Sequence, residues 1–251
     1  MSHIRVKNIN MIAFKSQLSD LPEQKLLINT INSYSYTMAR KDILFAEALL
    51  KGGELIPDGA GIVMAFKWLK KQKIERIAGW DLFLYEMQKL NTTHKLQMNG
   101  IAVKATVFFL GSSDKVLAKI KDRAAYDYPN IEIYTFSPPF KSEFTKEDNQ
   151  KMIDAINMVQ PNLLWIGMTA PKQEKWAYLN YDNLDVNGHI GTIGAVFDFY
   201  AGTIKRAPLW WQVHSIEWLY RLINEPKRMW KRYLIGNVKF IFYIINEKFN
   251  K

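Results

Sequence analysis

Apolar positions along this chain come in two alternating spacings. "ATVFFLG" (Ala105–Gly111) is a continuous apolar run that ends in glycine, the pattern of a strand buried on both faces. "SSDKVLAKIKDRAAYDY" follows with apolar residues three and four apart, which predicts an amphipathic helix. "IEIYTF" (Ile131–Phe136) reads as the next strand. "TKEDNQKMIDAINMV" reads as a helix whose Thr145 and Asp148 approach a capping box. "NLLWIG" (Asn162–Gly167) is another short apolar run, "PKQEKWAYLN" a helix with proline in its first turn, and "HIGTIGAVFDF" (His189–Phe199) a further strand and turn. Upstream, "ELIP" reads as a short buried strand and "GIVMAFKWLKK" as a helix that starts directly after it. A helical pattern also covers Tyr36–Leu50, with Gly52 or Gly53 to stop it. From Ile12 to that helix the pattern is mixed.

Strands alternating with helices predict an α/β fold: a largely parallel sheet with right-handed crossovers and helices on both faces. Ligands bind such sheets beyond the carboxyl ends of the strands. Three ends share a composition, "FLGSS", "IGMTAPKQE" and "GTIGAVFDF". Gly111 and Gly194 there are candidate substrate contacts, because glycine lets a ligand approach the backbone and a helix N-terminus attracts phosphate. No G-x-G-x-x-G follows a strand and no G-x-x-x-x-G-K-[ST] is present, so neither a dinucleotide cofactor nor a P-loop is supported. A sugar nucleotide fits such loops. Between "ELIP" and its helix stands Pro57-Asp58-Gly59. By itself it is a good turn, but it also sets a carboxylate at a strand end.

Composition adds three constraints. The 251 residues are 48% hydrophobic, enough for one α/β domain and an extension. Cysteine is absent and the four histidines show no ligand spacing, so no metal site and no cofactor are expected. The first residues lack the apolar core of a signal peptide, and no stretch is long and apolar enough to span a bilayer, which predicts a cytoplasmic protein. The formal charge of +10 is concentrated at the end: residues 203–251 hold ten Lys/Arg against three acids, with four of the eight tryptophans. A basic, tryptophan-rich segment suggests a phosphate-bearing partner, a membrane surface or a nucleic acid. The chain is therefore divided into a domain at 1–202 and a basic helical C-terminal appendage at 203–251. In the appendage, helical spacing puts Arg221, Arg228 and Arg232 on one face.

Nine short motifs, in order, carry a resemblance: "NTIN" (Asn29–Asn32), "IPDGAGIV", "RIAGWDL" (Arg76–Leu82), "FFLG", "SPPF" (Ser137–Phe140), "PKQEKW" (Pro171–Trp176), "FDFYAG" (Phe197–Gly202), "RAP" (Arg206–Pro208) and "EWLYRLINEPKRMWKRY" (Glu217–Tyr233). The chain resembles the WecG/TagA/CpsF glycosyltransferase family from about Leu26 to Tyr233. The resemblance implies a Rossmann-like, inverting, metal-independent enzyme. It would move a sugar from a UDP donor to a polyprenyl-diphosphate-linked sugar at the inner face of the cell membrane. It implies that Asp58 is the general base and that Thr30 and Asn32 are further catalytic residues. It implies substrate contacts from Arg76, Asp81 and Gln173, and diphosphate or membrane contacts from Arg206, Arg221 and Arg228. Homo-oligomerisation stays open.

Bland readings stand beside these. Thr30 and Asn32 suit a turn and a cap, Arg76 and Asp81 suit a mutual ion pair, a helix-surface Gln173 is ordinarily inert, and Asp198 suits a turn cap. Two departures from the family pattern bear on donor or acceptor identity: Thr192-Ile193-Gly194 before "FDF", and Ser215-Ile216 before "EW". The competing reading is a basic nucleic-acid-binding module without catalysis. The absence of a recognisable nucleic-acid motif argues against it.

Overall fold

The computed structural model describes residues 4–93, 97–98, 101–102, 104–214 and 216–249. Ser215 lies outside these residues, as does the side chain of Arg228. Among the described residues eight strands are present: β1 (Leu26–Ile31), β2 (Glu54–Pro57), β3 (Gln97–Met98), β4 (Ile101–Ala102), β5 (Ala105–Gly111), β6 (Ile131–Phe136), β7 (Leu163–Gly167) and β8 (His189–Thr192). β3 and β4 make a small antiparallel hairpin; the other six form one parallel sheet in the order β2-β1-β8-β7-β5-β6. Helices surround it, so the expected Rossmann-like class is the observed one. β7 and β8 are buried along their whole length, and β7 reads as an unbroken apolar run for that reason.

β1 is an element that the pattern did not resolve. Its "LLINTI" holds polar Asn29 and Thr30 inside a strand, and Asn29 is buried because its Oδ1 accepts from the Thr192 hydroxyl on β8 at 2.8 Å. The helix expected over Tyr36–Leu50 is two helices, Ser33–Ala39 and Ile43–Lys51, because Asp42 turns out of helical geometry and caps the second through the Phe45 N–H. "GAVFDFY" is a helix, Gly194–Tyr200, not a turn.

By contacts the chain divides into two compact units. The first comprises residues 1–19, 30–78 and 205–251; its core includes Tyr36, Phe45, Ile62 and Phe66 together with Phe240 and Ile244 from the last helix, Gly236–Phe249. Near the end of that helix Glu247 is buried. It accepts from the Val6 N–H at 2.9 Å and from the Tyr36 hydroxyl, with Arg40 nearby. The basic extension therefore also supplies core.

The second unit comprises residues 20–29 and 79–204; its core includes Phe108, Leu110, Leu164, Ile166 and Trp176. Within it His189 is buried, with Nδ1 2.8 Å from Glu86 and Nε2 2.9 Å from the Pro22 carbonyl. Burial disfavours the imidazolium, but the Glu86 hydrogen bond and charge, with the Pro22 carbonyl, outweigh it and hold His189 above its ordinary pKa. This histidine is a structural one, as its spacing suggested.

Candidate active site

In the first unit the key turns follow β1 and β2. Asn32 has extended backbone angles (φ −131°, ψ 177°) and caps helix Ser33–Ala39. Its Oδ1 accepts from the N–H groups of Tyr34 and Ser35, both at 3.0 Å, while Ser35 Oγ accepts from the Asn32 N–H at 2.7 Å. This is a complete capping box. Oδ1 is committed to the turn, so the group that Asn32 can offer a ligand is its NH₂. Thr30 is half-buried, two residues earlier on β1.

Asp58 ends β2. Its N–H donates to the Ile31 carbonyl at 2.8 Å, and the Pro57 carbonyl accepts from the Ile77 N–H at 3.0 Å, so the turn is tied on both sides. Helix Ala60–Leu69 starts directly afterwards. A Cβ at Gly59 would stand 3.3 Å from Asn32 Cβ, and a Cβ at Gly61 would overlap Ser33 Oγ. The glycines of "PDGAG" thus leave room for the Asp58 turn to pack closely against the Asn32 turn. The sequence places Asp58 at a strand end; the fold brings Asn32 beside it, with both side chains half-buried.

Arg76 is held by the appendage. Its Nη2 donates to Glu217 Oε2 at 2.8 Å and its Nη1 to the Gln212 carbonyl at 3.4 Å, and Arg206 Nε stands 3.7 Å from the other Glu217 oxygen. Glu217 thus gathers the guanidiniums of Arg76 and Arg206 around one carboxylate. Glu217 is a residue that spacing alone did not single out, although it lies in the "EW" motif. The single arginine face is corrected. Glu217–Asn224 and Pro226–Trp230 are separate helices, because Pro226 lacks an N–H and holds Glu225 out of helical geometry (φ −130°, ψ 56°). Arg221 and Arg228 sit on different helices. Arg232 lies in the following π-helical turn, Lys231–Ile235, and stacks on Tyr34 with 5.4 Å from guanidinium to ring centre.

In the second unit the strand-end glycines have steric causes. Gly111 pairs with Gly167 across β5 and β7, adopts φ +128°, and a Cβ there would strike the Gly167 backbone; a Cβ at Gly167 would strike the Phe197 ring at 2.6 Å. At Gly194 a Cβ would meet the Met168 carbonyl at 3.0 Å and Gln173 Oε1 at 3.1 Å, so Gln173 and Gly194 are neighbours. Gln173 is not on a helix surface. It is 4% exposed in helix Lys172–Asn180, with Nε2 donating to Glu174 Oε1 at 2.8 Å. Because a carboxylate only accepts, this bond fixes which end of the Gln173 amide faces Gly194. Asp81 lies in the first turn of helix Gly79–Thr93, where an acid suits the helix dipole. Asp198 accepts from the Thr203 hydroxyl at 3.0 Å, the turn-capping role its position suggested. Thr192 is fully buried on Asn29, so its extra side chain is absorbed inside the sheet.

Among the described residues no three His, Asp or Glu side chains gather as metal ligands, and no helix is long and apolar enough to cross a membrane.

The family model described as "Glycosyl transferase WecG/TagA/CpsF family" matches residues 1–251. The chain belongs to this glycosyltransferase family. Among relatives, a Bacillus subtilis (strain 168) protein is 29% identical over 97% of this chain and 90% of its own length. A Bacillus spizizenii protein is 32% identical over 75% of this chain and 67% of its own. A Staphylococcus aureus (strain MW2) protein is 26% identical over 90% and 81%. All three bear the name N-acetylglucosaminyldiphosphoundecaprenol N-acetyl-beta-D-mannosaminyltransferase. Membership in the WecG/TagA/CpsF family overturns the nucleic-acid-binding alternative, since its members are enzymes of sugar transfer.

Proposed function

We propose that this glycosyltransferase moves N-acetylmannosamine, or a related hexose or uronic acid, from a UDP donor to a polyprenyl-diphosphate-linked sugar in cell-surface polysaccharide synthesis. The carrying observation is that a relative named for N-acetylmannosamine transfer to an undecaprenyl-diphosphate-linked sugar aligns with 97% of the chain. The transfer inverts the anomeric centre and needs no metal. The acceptor hydroxyl attacks C1 of the donor sugar, the C1–O bond to UDP breaks, and Asp58 takes the hydroxyl proton. Thr30 and the NH₂ of Asn32 orient the reacting sugars. Arg76 and Arg206, joined by Arg221 and Arg228, offset the charge that develops on the leaving diphosphate or that the acceptor already carries. Donor contacts are assigned to Asp81 and Gln173 by their motifs, and to Gly111 and Gly194 as strand-end glycines. Residues 1–202 supply the base, and 203–251 add their arginines and dock peripherally on the inner face of the membrane; a homo-oligomer is compatible with this arrangement.

A panel of UDP-sugars, offered with a short-chain prenyl-diphosphate-GlcNAc acceptor and read by mass spectrometry, tests this reading. One UDP-sugar should give a product heavier by one sugar, with UDP released. No product from any UDP-sugar would overturn it.

A further inference from the structure

The last helix has two faces. Val238, Ile241, Phe242 and Ile245 are exposed, while Gly236, Phe240, Ile244 and Glu247 are buried. The buried face meets the turn that follows β1. A Cβ at Gly236 would stand 3.0 Å from Tyr34 Cδ2, the Gly236 carbonyl accepts from the Thr37 hydroxyl at 3.4 Å, and Phe240 Cε1 would be 3.3 Å from a Cβ at Gly61. Phe240 also meets Tyr36 edge-on at 5.4 Å, and Glu247 receives the Tyr36 hydroxyl. Tyr34 and Tyr36 belong to the helix that Asn32 caps, and Gly61 to the helix that Asp58 precedes.

We propose that helix Gly236–Phe249 braces the Asn32 and Asp58 turns, with Gly236, Phe240 and Glu247 as positioning residues. The inference rests on the reading of Asp58 as the base and Asn32 as an orienting group. It gives the end of the chain a task separate from its basic charge: the arginines meet anions, and the final helix holds the turns in register. Tyr34 is the link. Its N–H donates to Asn32 Oδ1 and its ring is clasped between Gly236 and the Arg232 guanidinium. Moving the ring moves the donor that orients the Asn32 amide.

Gly236→Ala tests this cleanly. Gly236 has helical angles (φ −63°, ψ −46°), so alanine suits the backbone and favours the helix by itself. The added methyl group nevertheless displaces Tyr34. The melting midpoint should equal or exceed the parent's. Amide exchange at Tyr34 and Ser35 should quicken by about tenfold or more, and kcat should fall by about tenfold or more at nearly constant donor KM, since small misplacements of reacting groups are costly. Adding Tyr34→Leu, which frees the space, should restore kcat to within about threefold of Tyr34→Leu alone. Met158→Ser, on the exposed face of helix Lys146–Val159, should change nothing.

Unchanged exchange at Tyr34 and Ser35, or a lowered midpoint with faster exchange throughout, would overturn the brace. Faster exchange with unchanged kcat would overturn its bearing on catalysis. Asp58→Asn run alongside separates the two levels. If that variant keeps its turnover, the base is misassigned, while the exchange data still decide the brace.

Discussion

Phe240 and Phe242 are the same residue type on the same helix, two positions apart, and the fold gives them opposite environments: 5% against 64% exposed. Phe240→Ala removes a ring packed edge-on against Tyr36 at 5.4 Å within the core of the first unit. A buried Phe→Ala change costs about 3–5 kcal/mol, from lost transfer energy and the cavity left behind. For a chain of this length about 1 kcal/mol shifts the melting midpoint by about 2–4 °C, so a fall of roughly 6–20 °C is expected. Phe242→Ala removes a ring that is mostly in water and should stay within about 0.5 kcal/mol, a shift of at most about 2 °C. Thermal unfolding followed by circular dichroism, with urea titration as a second measure, reads both variants. Equal shifts in the pair would refute the inward orientation of Phe240, and with it the claim that the end of the chain is part of the core.

Asp58→Asn should keep the parent's fold and donor binding but lose about 10²–10⁴-fold in turnover, because the swap is nearly isosteric and removes the base; transfer within a few-fold of the parent would move the base elsewhere, with Asp81 next in line. Transfer should survive EDTA, and loss of activity with rescue by Mn²⁺ or Mg²⁺ would refute metal-independence. His189 contributes stability that is full below its unfolded pKa of 6.5 and lost as pH rises through its higher folded value. Relative to His189→Asn, the parent's stabilisation should therefore shrink from pH 6 towards alkaline pH in urea titrations, and a constant difference across that window would contradict the buried His189–Glu86 pair.

The sequence by itself determined the elements whose signal is local. Strands β5 and β7 are apolar runs ended by glycine, and the helices after β5 and β6 have three-and-four spacing, so both could be read from residues a few positions apart. The capping box of Thr145 and Asp148 was legible for the same reason, and it is present as read. The ordered motifs, "IPDGAGIV" and "EWLYRLINEPKRMWKRY" among them, carried the family and the sugar-transfer chemistry.

What depended on contacts distant in the chain had no local signal. β1 hid because Asn29 looks like a loop residue until Thr192, 163 positions away, supplies its hydrogen bond. Gln173 looked like a surface residue because the helix pattern does not reveal Glu174 and Gly194 closing over it. Arg76 found Glu217, 141 positions on. The glycines of "PDGAG" read as turn formers, but their spacing answers to Asn32 and Ser33 on another strand's turn. The basic end read as a charged extension because charge is visible in composition, whereas burial is not: only packing shows that Phe240, Ile244 and Glu247 face inward while Phe242 and Ile245 face out. Residue type and spacing fix a side chain's chemistry and its helix or strand; which partner it meets is set when distant segments compete for the same buried space.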